Sequence, residues 1–137
     1  MGWHPYDLDK AAQKIVLTAR ERNNESLNQA YKMRATCAYG LERFWGEHLR
    51  LAESEPHKAA FVKDVWCEFV EIMGRAKIAI PKAMASREEA EREIAMVADQ
   101  LWSLPLPDQQ VSLAVLTNLC DAVVWWTQRL KKKSEGD

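Results

Sequence analysis

The sequence predicts an all-α protein, a single-domain bundle of about five helices, and three observations carry that prediction. Apolar residues recur at three- and four-residue steps along most of the chain, the pattern that puts them on one face of a helix. Val, Ile, Thr and the aromatics never alternate strictly with polar residues as a half-buried strand requires. Five glycines and five prolines in 137 residues are few, and 47% hydrophobic with 28% charged residues lies in the range of chains that fold around a core. One domain is expected to span 1–137, ordered over about 7–132 with short flexible termini.

The first helix is expected from about Asp7 to Arg22, because Leu8, Ala11, Ala12, Ile15 and Ala19 form one stripe before Asn23-Asn24 breaks it. A longer second helix is expected from about Glu25 to Glu53. Leu27, Tyr31, Ala38, Leu41, Trp45 and Ala52 share one face of it, and Ala30, Cys37, Phe44 and Leu51 share a neighbouring one, so two packing partners are implied. Pro56 suits the first turn of a third helix, about His57 to Ile80, since that turn needs no backbone donor there. Phe61, Val62, Val65, Trp66, Phe69, Val70, Ile72 and Met73 make this helix apolar over most of its circumference and therefore central, and Pro81 should stop it.

Ser86 with Glu89 forms a capping box, and Glu88, Glu89, Glu91 and Glu93 suit the positive end of a fourth helix running to about Ser103. Leu104-Pro105-Leu106-Pro107-Asp108 reads as a rigid connector whose Asp108 caps a last helix, about Gln109 to Lys132. Val111, Val115, Leu116, Leu119, Cys120, Val123, Val124, Trp125 and Trp126 cover too much of that helix for a single partner. Ser134-Glu135-Gly136-Asp137 is expected to be a solvated tail.

The formal net charge of −1 gives no whole-molecule attraction to nucleic acid or anionic lipid, so any such site must be local. No apolar run approaches the roughly 20 residues that span a bilayer, and Met1-Gly2-Trp3-His4-Pro5 is unlike a secretory leader. The expectation is a cytoplasmic protein with no membrane partner. Cys37, Cys67 and Cys120 are far apart with no second ligand at metal spacing, and read as small reduced core residues. The acids from Glu88 to Glu93 have no Glu-x-x-His companion, and there is no phosphate-cradling glycine loop or nucleophile elbow, so no metal and no cofactor are expected.

Charge is nevertheless segregated. Between Gly74 and Arg87 the cations Arg75, Lys77, Lys82 and Arg87 meet no acid, and Arg129 with Lys131, Lys132 and Lys133 forms a second basic cluster. Such faces can neutralise the phosphates of a single strand, and Lys32 and Arg34, with Arg43 and Arg50, could extend one. The bland alternative is compensation of a helix C-terminus or pairing with the acidic turn that follows. Six tryptophans are many for this length, and Trp125 and Trp126 point about 100° apart on a helix, so one of them is expected to meet a partner protein or a second copy of the chain.

Arg43-Phe44-Trp45-Gly46-Glu47-His48 resembles the Arg-x4-His motif of the helical HEPN ribonucleases. That resemblance implies His48 as acid or base in RNA cleavage and Arg43 as the phosphate contact. Against it stands a surface Arg and a half-buried His on a helix. Over most of the chain, Tyr39-Gly40-Leu41 and Leu119-Cys120-Asp121-Ala122-Val123-Val124-Trp125-Trp126-Thr127-Gln128-Arg129-Leu130 resemble the small helical subunit of type III CRISPR effector complexes. This implies a bundle without catalytic activity, stacked along guide RNA and target strand and touching their backbones through basic side chains. Three functional classes follow: a nucleoprotein-assembly subunit, a helical ribonuclease, and a protein-binding adaptor with no nucleic-acid role.

Overall fold

A computed structural model describes residues 7–82 and 87–133, with the side chains of 87–92 not described. Among the described residues six α-helices follow one another: α1 (Asp7–Arg22), α2 (Gln29–Thr36), α3 (Leu41–Leu51), α4 (Pro56–Arg75), α5 (Arg87–Trp102) and α6 (Leu106–Leu130). Short 3-10 turns occupy Asn24–Asn28 and Cys37–Tyr39, and there is no strand among the described residues.

The Asn23-Asn24 break lies where expected. Asn23 adopts an extended backbone, its Oδ1 accepts from the Ser26 N–H at 2.9 Å, and the Ser26 hydroxyl donates back to the Asn23 carbonyl at 2.7 Å. These local bonds compete with the helical ladder and replace it by a tight turn.

The long second helix is corrected to two helices joined by a turn. Gly40, with φ 99° and ψ 176°, lies in a backbone region open essentially to glycine alone. The helix tightens over Cys37–Tyr39, the Gly40 N–H bonds the Cys37 carbonyl at 3.2 Å, and a new helix starts at Leu41. The two apolar faces predicted for one rod are thus divided between α2 and α3. Gly40-Leu41 is a corner rather than a point within a helix.

α4 starts with Pro56 in its first turn, as predicted, but ends at Arg75 rather than near Pro81. A Schellman motif ends it: the Ile78 N–H bonds the Met73 carbonyl at 2.9 Å and the Lys77 N–H bonds the Gly74 carbonyl at 3.0 Å. Lys77 takes the left-handed position with φ 64°. Ile78 packs on the core into which Met73 is buried, the apolar contact that accompanies this cap. The extended segment beyond is pinned to α4 by Trp66, whose Nε1–H donates to the Pro81 carbonyl at 2.8 Å.

α4 is central, touching α1, α2, α3 and α6. It buries Phe61, Val62, Val65, Trp66, Phe69, Ile72 and Met73. Trp66 lies between Phe44 and Phe69, at ring-centroid distances of 6.1 Å and 5.2 Å. α5 packs on α3 through Val97 and Leu101. The capping box predicted at Ser86 and Glu89 falls outside the described residues.

α6 begins three residues before the predicted start. Pro105 is extended and serves as N-cap, Pro107 sits in the first turn, and Asp108 is a first-turn acid instead of the cap. Gln109 ties down the connector by donating from Nε2 to the carbonyls of Leu104 at 2.7 Å and Trp102 at 3.1 Å. The helix buries Ser112, Leu116, Leu119, Cys120, Val123 and Thr127 and runs along α1. No helix among the described residues is long and apolar enough to cross a membrane.

Candidate nucleic-acid interface

The first basic segment surrounds the end of α4. Arg75 is the last helical residue, Lys77 the left-handed cap and Lys82 lies on the extended segment fixed by Trp66. All three are exposed, and none forms an ion pair with another described residue. The Lys77 backbone is costly for a residue with a Cβ, by roughly 1–2 kcal/mol. Arg87 opens α5, but its side chain is outside the described set.

The proposed extension of this face is only partly available. The Arg34 Nε–H donates to Asp121 Oδ1, and this bond raises the Arg34 pKa above its ordinary value against the opposing effect of burial. Arg34 therefore joins α2 to α6 instead of standing free. Arg50 grips Glu47 with contacts of 2.9 to 3.2 Å. Lys32 is exposed, and its charge helps hold the Glu55 carboxyl below its usual range, after the larger effect of the Lys58 hydrogen bond.

Arg43 and His48 are not brought together. Five positions apart on α3, they point about 140° apart, Arg43 outward and His48 inward with only 5% of its surface exposed. His48 Nδ1–H donates to the Trp45 carbonyl, and Nε2 is buried with no hydrogen-bond partner among the described residues. Burial pushes the His48 pKa down, partly offset by the Trp45 bond. The ring that the ribonuclease resemblance needs as acid or base is sealed within the core.

The adjacent tryptophans separate as their spacing demands. Trp126 is partly buried against the core, whereas Trp125 is 50% exposed. The Arg129 guanidinium lies 3.9 Å from the centroid of the Trp125 ring, a cation–π contact one helical turn away. Gln128 Nε2–H donates to the Tyr31 hydroxyl at 2.9 Å, bringing an exposed α2 aromatic to the same end of α6. Sequence reasoning missed this pairing because Tyr31 fell on the predicted apolar stripe of a helix that does not exist as one rod.

A second missed feature is a cleft of about 270 Å³ where α3, α5 and α6 meet. Tyr39, Gly40, Leu41, Arg43, Trp102 and Leu113 are among its lining residues, and Tyr39 and Trp102 stand largely exposed at its rim. The only available signal was the placement of Trp102 at a helix end beside the Leu-Pro connector.

The cysteine expectation holds for two of three. Cys37 and Cys120 are buried neighbours: the Cys120 thiol donates to the Cys37 sulfur, which with burial holds Cys120 protonated, and the Cys37 thiol contacts the Met33 carbonyl at 3.5 Å. Cys67 is a correction, for it is exposed on the outer side of α4, beside Asp64, Glu68 and Glu71. No group of three His, Cys, Asp or Glu among the described residues could hold a metal ion. No protein-family model, no curated protein and no solved structure matches the chain.

Proposed function

We propose that this chain is a non-catalytic helical subunit of a cytoplasmic nucleoprotein assembly, touching an RNA or DNA backbone and neighbouring subunits, as the resemblance to the small subunit of type III CRISPR effector complexes implies. The observation that supports this reading is Lys77. A left-handed cap position favours glycine, yet here it carries a lysine, set between two further exposed cations, Arg75 and Lys82, that form no ion pair among the described residues. A backbone cost borne at a surface position argues for what the side chain does there, and three exposed cations on a fixed corner suit phosphates. The burial of His48 weighs against the ribonuclease alternative. Contacts to neighbouring subunits fit the exposed aromatic rim of Tyr39 and Trp102.

The test belongs in the assembled complex, because a subunit that neutralises few phosphates per copy draws its affinity from neighbours on the same strand. Replacing Arg75, Lys77 and Lys82 together by Ala is expected to weaken nucleic-acid binding about equally for all sequences and to flatten its salt dependence. Unchanged affinity with an unchanged salt slope would reduce this corner to ordinary solvated surface.

A further inference from the structure

We infer that the outer face of α6 near its C-terminus is a stacking platform for the bases of a single-stranded nucleic acid, with Trp125 as its floor. The inference rests on the nucleoprotein reading above but assigns the bases to a different part of the molecule from the phosphate-binding corner on α4.

Two aromatic side chains, Trp125 at 50% and Tyr31 at 53% exposure, stand at this end of the helix. Gln128 holds the Tyr31 hydroxyl, and residue 128 is roughly 4.5 Å along the axis from residue 125. Half-exposed rings offer surface for stacking, Trp125 on the side not covered by Arg129, and every base offers a π-face, so such sites accept any sequence. The Arg129 guanidinium against the indole adds a planar cation that can itself stack on a base.

Charge selects the occupant. Among the described residues, three acids near this end already have cations: Asp121 has Arg34, Glu25 has Lys131 at 3.8 Å, and Glu21 has Arg20 at 3.8 Å. Arg129, Lys132 and Lys133 are left exposed without an ion pair among the described residues. Aromatic floor and surplus positive charge together match a strand that carries a flat ring and a phosphate at every step. Trp, Tyr and Arg also make protein hot spots, so the test must be able to return that answer.

The full chain is titrated at low salt with labelled oligoadenylate and with an abasic strand of equal length, each long enough for several copies. Trp125→Ala is expected to weaken oligoadenylate binding about tenfold and to leave abasic binding and salt slope unchanged, while Trp125→Phe keeps most of the affinity. Equal oligoadenylate affinity for Trp125→Ala and the parent overturns the platform. So does a parent that binds both strands alike, an outcome that leaves the phosphate reading standing. The Arg75, Lys77 and Lys82 triple variant, run alongside, separates the two sites: base-dependent binding lost in Trp125→Ala and kept in the triple variant upholds the platform as a site distinct from the α4 corner. A Trp125→Ala chain with altered self-association and unaltered strand binding makes this face a protein interface, and a parent that binds neither strand overturns the platform, while the α4 corner is decided by its own test in the assembled complex.

Discussion

Asn24 holds Lys132 by both backbone groups: its Nδ2–H donates to the Lys132 carbonyl at 2.8 Å and its Oδ1 accepts the Lys132 N–H at 2.9 Å. Arg20 reinforces this by donating to the Leu130 carbonyl at 3.1 Å. Together they satisfy carbonyls that the end of α6 leaves without helical partners and fasten it to the end of α1. Asn24→Ala removes both Asn24 bonds. The expected loss is about 1 kcal/mol, with faster amide exchange confined to the last turn of α6. Uniform exchange across α6 would show the latch to be idle.

Gly40 and Gly74 should respond oppositely to alanine. Neither has an atom within 4 Å of an added Cβ, so space does not distinguish them and backbone conformation does. At φ 99° an alanine at Gly40 is strained, with a loss of roughly 1–3 kcal/mol. Gly74 lies in the last turn of α4, where alanine restricts the unfolded chain, and Gly74→Ala should gain about 0.5–1 kcal/mol. Denaturant midpoints of the two variants would measure this, and a neutral Gly40→Ala would remove the corner's dependence on glycine.

That corner marks what the sequence could and could not convey. The break after α1 and the Pro56 start were legible because Asn23 and Pro56 act through their own side chains or rings on the nearest backbone. The split at Gly40 was not, since apolar periodicity continues on both sides of it and glycine also occurs within helices. The end of α4 was hidden for the opposite reason: Lys77 is an unfavourable residue for the position it fills. At the candidate site, adjacency established that Trp125 and Trp126 diverge, but only packing chose which one is exposed. The Arg34 bond to Asp121, 87 residues apart, has no local signature at all.

Lys77→Gly separates stability from binding. Relief of the left-handed lysine should stabilise the fold by about 0.5–1 kcal/mol, somewhat less than the full conformational penalty because glycine also frees the unfolded chain. Loss of the cation should weaken strand binding in the assembled complex and reduce the salt slope by about one unit. A more stable variant with undiminished binding would leave Lys77 without a phosphate to hold.

His48 makes folding sensitive to acid, and the sign follows from its burial. Its folded pKa is depressed below the ordinary histidine value by loss of hydration, so the unfolded chain binds its proton first as pH falls. Stability from keeping the ring neutral is fully present above the unfolded pKa, near 6.5. It is lost as pH drops from there towards the lower folded pKa, where the native state must also accept the charge. Lys63 adds to the depression and the Trp45 carbonyl opposes it. His48→Gln cannot titrate in this range, although burying an amide there costs stability at every pH. The decisive quantity is therefore the slope of unfolding free energy as pH falls below about 6.5, measured by denaturant melts of parent and variant. The parent should lose stability more steeply than His48→Gln as acid is added; equal slopes would mean that the buried ring contributes nothing to the acid sensitivity of the fold.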